Sequence, residues 1–253
     1  MSQLNESPII TVERRKAVTI IVSAVIIALA LGVGLTQVGT GFATRAGNGI
    51  TVTGSAKTSA VADNAVWTLS VSLSSPTVGA AVKKVDSDVA ALSSYLTQGG
   101  IAADALTLGA VSTYANEEYV NGNSTGRILS YRASRDVTVR TNDVQLVSKL
   151  SQGIGTLLET GINVNNYGPQ YYISNLPELR PELMSEAMKD AKLRAESLTK
   201  AVGGSLGSLV NVKAGPIQIT TPDSTMTADY GAYDTSTINK TVSATVSVTF
   251  NTN

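Results

Sequence analysis

Residues 130–150, SYRASRDVTVRTNDVQLVSKL, change their hydrophobic period halfway along. The even positions up to 140 are Ser130, Arg132, Ser134, Asp136, Thr138 and Arg140; the odd ones are Tyr131, Ala133, Arg135, Val137 and Val139. Successive side chains on a strand point to opposite faces, so this half reads as a strand with one polar and one apolar face. Past Asp143, Val144, Val147 and Leu150 recur every three residues and share one side of a helix. Arg132 and Arg140 therefore belong to a polar face with Asp136 between them, and not to a basic patch. Arg135 alone intrudes on the apolar face, where it is expected at a sheet margin with its stem on neighbours and its head in water.

The same two periods organise the sequence on either side. In ITVTGSAKTSAVADNAVWTLSVSLSS (50–75), Ile50 and Val52, then Trp67, Leu69, Val71 and Leu73, alternate with small polar residues and predict two half-buried strands. Residues 77–98 carry Val78, Val82, Val85, Val89, Leu92 and Leu96 as one helical stripe, stopped at Gly99–Gly100. Strand patterns over Leu106–Tyr119 and Ile128–Arg140 flank the turn-forming VNGNSTG and predict a hairpin. A second helix is expected over 143–159 and a strand over 162–174.

The third helix is expected over 181–202, with Pro181 in its first turn and Gly203–Gly204 as its stop. Its apolar stripe reads Leu183, Ala187, Ala191, Ala195, Leu198 and Val202, and the alanines allow close approach to a sheet. A strand follows at 206–213, then a long run without period over 214–236, expected to be a mobile loop. TVSATVSVTF closes the pattern as a strand with Val242, Ala244, Val246, Val248 and Phe250 inward. Interspersed strands, hairpins and about three helices predict an α+β fold with a largely antiparallel sheet.

Composition removes much catalytic chemistry. The chain has no His and no Cys, so thiol nucleophiles, His-based dyads and most zinc or copper sites are excluded. Lys plus Arg and Asp plus Glu both total 19, so no global field draws nucleic acid. Residues 17–35, AVTIIVSAVIIALALGVGL, are uncharged and follow Arg14, Arg15 and Lys16. About 20 apolar residues span a bilayer core of about 30 Å, and the basic flank belongs on the cytoplasmic side. The expected organisation is a cytoplasmic N-terminus (1–16), a transmembrane anchor (17–35), a linker (36–49) and an extracytoplasmic domain (50–253). A cleaved signal peptide, with Ala28–Ala30 as its A-x-A site, is the other reading; the apolar run outlasts the usual h-region of about 7–15 residues.

No set of catalytic, cofactor-binding or metal-ligating residues assembles from the sequence. SLTK, Ser197–Lys200, fits the S-x-x-K of Ser–Lys hydrolases, but lies at the end of a helix without a following S-D-N or K-T-G. Glu117–Glu118 and Asp86/Asp88 are paired carboxylates that diverge on a strand and on a helix, and are expected to be solvated charges. Gly203, Gly204 and Gly207 follow a helix C-terminus, the wrong end for phosphate. Asn123-Ser-Thr and Asn239-Lys-Thr match glycosylation sequons. Met226, Tyr230 and Tyr233, in the 214–236 run, are the candidate interaction surface, since exposed aromatics are enriched at interfaces.

YRASRDVTVRTNDVQLVSKL, ITVTGSAKTSAVADNAVWTLSV, AMKDAKLRAESLTKAVGGSLGSLVNV and VSATVSVTF together resemble the SIMPL-domain family, which includes periplasmic immunogenic proteins of Gram-negative bacteria. The resemblance covers roughly residues 50–250 in family order. This chain departs from it at Val61-Ala62-Asp63, where Ala-Pro-Asp is frequent, at Arg135, usually Asn or another polar residue, and in lacking a Gly-Glu before the last strand. The resemblance implies an exported α+β protein, with some members forming ring- or channel-like oligomers and some linked to oxidative-stress tolerance. It transfers no catalytic residue. Residues and resemblance together lead to the expectation of a membrane-anchored, self-associating envelope scaffold with no cofactor and no nucleic-acid partner. An envelope Ser–Lys hydrolase and a binding module for an envelope polymer or small ligand, acting through 214–236, remain as alternatives.

Overall fold

The computed structural model of the chain describes Val22, residues 24–32 and residues 49–252. Val22 and residues 24–32 are helical and exposed. The expected segments 1–16 and 36–48, and the rest of the 17–35 anchor, lie outside the described residues. Among the described residues no helix is long and apolar enough to cross a membrane.

Between residues 49 and 252 the architecture is α+β. Nine strands are present: β1 Gly49–Val61, β2 Asn64–Ser75, β3 Leu106–Leu108, β4 Ser112–Val120, β5 Asn123–Thr141, β6 Val164–Tyr172, β7 Leu206–Ala214, β8 Gln218–Thr220 and β9 Asn239–Thr252. Four α-helices accompany them: α1 Val78–Gln98, α2 Val144–Gly153, α3 Gly155–Glu159 and α4 Leu176–Ala201. One sheet has the order β1-β9-β7 with β8 also on β9; the other has the order β3-β5-β2-β6 with β4 also on β5. All pairings of the second sheet are antiparallel, as is β8 with β9. The chain divides into two compact units. The larger holds Thr53–Arg194 and Val212–Val248; the smaller holds Ala195–Asn211, Thr249–Asn253 and the segment up to Val52.

In the larger unit, period-2 alternation puts Trp67, Leu69 and Val71 of β2 beside Ala133, Val137 and Val139 of β5, all fully buried or nearly so. Ala81, Val85, Val89, Leu92 and Leu96 of α1 and Val144, Val147 and Leu150 of α2 pack in the same core. The stripe expected on α1 is displaced at its start: Val78 is exposed, and Ala81 takes the buried place. Thr77 caps α1 by accepting from the Ala80 amide, and Asp143 caps α2 by accepting from Leu146. The helix expected over 143–159 is two, broken between Gly153 and Gly155, a stretch that favours helix poorly.

The strand expected over Leu106–Tyr119 is likewise two. The chain leaves the ladder at residues 109–111, where the Gly109 carbonyl is taken by the Arg135 guanidinium at 2.8 Å. The β4–β5 hairpin turns tightly at Asn121–Gly122, both with positive φ (50° and 82°), the turn hand that matches strand twist.

Helix α4 starts earlier than expected. Pro177 occupies its first turn, and Pro181 lies inside the helix. Its closest approach is to β1: a methyl placed on Gly54 would sit 2.1 Å from the Ala187 carbonyl oxygen and 2.4 Å from the Ala191 amide nitrogen. Only glycine permits that separation. A second core joins Ile173, Leu183, Ile219, Val242 and Ala244, flanked by Leu176, Met184 and Ile217.

In the smaller unit, Leu198 and Val202 are exposed, not inward as expected. The buried place after Ala195 goes to Thr199, whose hydroxyl donates back to the Ala195 carbonyl at 2.9 Å and so needs no other partner. The helix ends as expected, with Gly203 at φ 77° and the Gly204 amide returning to the Thr199 carbonyl.

Candidate functional site

Residues 214–236 carry more order than their lack of period suggests. They contain β8 and fold back on it. The Ile219 amide donates to the Ala232 carbonyl at 2.7 Å and the Asp234 amide to the Ile219 carbonyl at 2.8 Å. Gln218, buried, staples the return limb: its Nε2 donates to the Ala228 carbonyl and its Oε1 accepts from the Ala232 amide, both at 2.7 Å. Side chains pairing with main chain leave no period in a sequence, which is why the order was not visible there.

The foot of this loop is an ionic lock. Lys240, at the start of β9, has no exposed side-chain surface, and its Nζ donates to the Asp234 main-chain carbonyl and, at 3.1 Å, to Asp234 Oδ2. The Asp234 carboxylate also accepts from the amides and hydroxyls of Ser236 and Thr237. Burial opposes ionisation of Asp234, but the Thr237, Ser236 and Lys240 donors outweigh it and hold its carboxyl well below the usual range. Sequence reasoning passed over both residues. Asp-Thr-Ser-Thr is an Asx-turn composition, the signal from which the turn was recoverable.

Above the lock, Tyr233 bonds through its hydroxyl to the Ile173 amide at 3.1 Å, and its ring lies 5.9 Å from Tyr172. Tyr233 and the fully exposed Tyr230 line one groove of about 450 Å³ with Leu176, Arg180, Met184 and Pro216. Met226 is not there; it is exposed on a separate hollow with Lys57, Thr220 and Thr241. Two of the three predicted surface residues are thus brought together, and Arg180 and Met184, which sequence reasoning missed, join them from α4.

A larger groove, about 570 Å³, runs between β1 and α4. Three of the five charged side chains that line it are engaged: Asp190 accepts from the Ser55 amide at 2.8 Å and from Arg194 at 2.9 Å, and Lys189 pairs with Glu186 at 2.6 Å. Of Asp86 and Asp88, the first is exposed as expected, and the second is not the solvated charge expected. Asp86 accepts from Arg135 at 3.1 Å; Asp88 is buried and paired with Lys84. Arg135 is thereby accounted for: it reaches across the margin of the apolar face to α1. Glu117 and Glu118 are engaged too, with Ser124 at 2.6 Å and with Thr125 at 3.0 Å.

Ser197 and Lys200 stand exposed on the last turns of α4, and neither lines any of the grooves above. Among the described residues no three carboxylates are grouped to hold a metal. The sequon asparagines Asn123 and Asn239 are both exposed at strand starts.

The β4–β5 hairpin carries a different kind of surface. Residues 119–129 are all exposed. Tyr114, Tyr119, Val120, Ile128 and Leu129 present large apolar side chains there, Tyr114 at 64% exposure.

An α+β domain with antiparallel sheets is the class that the fold defines. Residues 50–250 match the family model SIMPL, described as protein of unknown function (DUF541), and the chain belongs to that family. No curated protein matches the chain.

Proposed function

We propose that the chain is a membrane-tethered, extracytoplasmic envelope module that works by associating with further copies of itself. The observation that carries this reading is the β4–β5 arm. A two-stranded ribbon is marginally stable alone in water, and this one exposes five large apolar side chains. Its polar ties, Ser124 to Glu117 and Arg127 to Glu118, hold the strands together without covering those side chains. Tyr is enriched among the few residues that carry most of the binding energy of protein interfaces. The uncharged run 17–35 behind a basic flank supports the tether.

The test is the mass of the full chain, by light scattering after size exclusion, in mild detergent and in lipid nanodiscs at tens of micromolar. A multimer that falls to monomer when Tyr119→Ser, Val120→Thr and Leu129→Ser are combined is the expected result. A wild-type chain that is monomeric in both media overturns the reading.

A further inference from the structure

The Tyr230/Tyr233 groove has features of a built ligand site. Its rim is fixed: Gly231 has φ 93°, and a methyl there would lie 2.9 Å from the Ile217 carbonyl oxygen, so the wall closes only with glycine. Tyr233 is held by the Ile173 amide, and its loop by Gln218 and the Asp234–Lys240 lock. Its volume falls in the range of small-molecule sites, about 300–1,000 Å³.

Its charge is one-sided. Arg180 is the one charged side chain in the groove wall. It is exposed and makes no hydrogen bond or ion pair with the described residues. Asp229, next to Tyr230 in sequence, does not line the groove, and Asp234, next to Tyr233, is turned to Lys240. In the β1–α4 groove, by contrast, both signs of charge line the wall, and Lys189 is paired with Glu186. An unpaired guanidinium beside two tyrosines, a methionine and a proline is complementary to an anion with an apolar body. The planar fork matches a carboxylate, and the rings offer flat apolar area at small entropic cost.

We propose that this groove binds a small organic carboxylate with an apolar or aromatic body, the carboxylate on Arg180 and the body against Tyr230, Tyr233, Pro216 and Met184. The site is independent of the hairpin arm and of self-association.

The probe is phenylbutanoate, titrated calorimetrically into the full chain in lipid nanodiscs with empty nanodiscs subtracted. Phenylbutanol and phenylbutylamine serve as the neutral and cationic counterparts. A dissociation constant of about 1 mM or tighter suits a ligand of this size. The alcohol binds about tenfold more weakly, the amine not at all, and Arg180→Gln loses about tenfold towards the acid alone. Tyr230→Ser, a change at a fully exposed position, weakens acid and alcohol alike by severalfold, whereas Met226→Ser changes neither. Emission from Trp67, the single tryptophan, reports whether each variant is folded. Equal binding of acid and alcohol, or undiminished acid binding by either Arg180→Gln or Tyr230→Ser, overturns the site. So does the absence of acid binding at about 10 mM, since even a poor ligand of this size would register there.

Discussion

The Arg135 guanidinium of β5 donates to the Asp86 carboxylate of α1 at 3.1 Å, and its Nε to the Gly109 carbonyl at 2.8 Å. One side chain thus joins a strand, a helix and the break between β3 and β4. Both partners of the ion pair are partly exposed, so solvent screening keeps its own worth small. Asp86→Asn is expected to cost at most about 0.5 kcal/mol. Arg135→Ala also abandons the Gly109 carbonyl and should cost about 1–2 kcal/mol. Urea unfolding of the two variants measures the difference; equal losses would show that the Gly109 bond contributes nothing.

Gly54 predicts a larger effect. The atoms a methyl would meet belong to the backbone of α4, 2.1 and 2.4 Å away, and backbone cannot yield as a side-chain tip does. Gly54→Ala is expected to destabilise by about 3 kcal/mol or to prevent folding. Gly79→Ala, where nothing lies within 4 Å, should be neutral or stabilising on a helix. Thermal melts of the pair test the contrast.

The Asp234–Lys240 lock makes stability depend on pH. The folded-state pKa of Asp234 is depressed, so its contribution is complete above the ordinary aspartate value of about 3.9 and is lost as pH falls below it. Asp63, lowered by the Ser174 hydroxyl, acts in the same direction. The urea midpoint should therefore begin to fall as pH drops below about 4 and keep falling toward the depressed folded-state value, and Asp234→Asn should flatten part of that fall. Asp234→Asn leaves the buried ammonium with neutral acceptors only and should cost about 3 kcal/mol at neutral pH. Asp234→Asn combined with Lys240→Met should cost less than the sum of the single changes by about 1–3 kcal/mol. Simple additivity would mean that the two do not act as a pair.

Trp67 is completely buried, and its indole nitrogen donates to Asn166 Oδ1 at 2.8 Å, an oxygen that also accepts from the Gly168 amide at 2.9 Å. Asn166→Ala leaves a buried indole donor without a partner and should cost about 1–3 kcal/mol. Trp67→Phe removes donor and volume together. The emission maximum of the Asn166 variant, compared with the parent chain in the folded state, should shift as the indole loses its acceptor; an unchanged spectrum and midpoint would dismiss the bond as a stabilising element.

Periodic elements were legible because burial on one face imposes a period on sequence. The alternation of Trp67, Leu69 and Val71, of Val137 and Val139, and of Val242 to Phe250 gave strands that the fold contains. The 3.6 period gave α1 and α2. What escaped depends on partners distant in sequence or on backbone groups. Gly54 gains its meaning from Ala187 and Ala191, more than 130 residues later. Gln218 and Asp234 are satisfied by main-chain groups of a loop whose course no hydrophobic pattern records. Tyr230 and Tyr233 stand out in the sequence as aromatics in a run without period, but the cation beside them comes from α4, at a position whose helical neighbours carry no hint of it.

Lys240 is the one lysine buried among the described residues, with its amine enclosed between Asp234 and the strand that follows. The other described lysines are exposed and within reach of an acylating reagent, while this amine is out of reach until the turn above it opens. Its rate of acylation, followed by peptide mass in the intact protein, is therefore a clock for the opening of the 214–236 loop. The same measurement made with phenylbutanoate bound would show directly whether an occupied groove slows that clock.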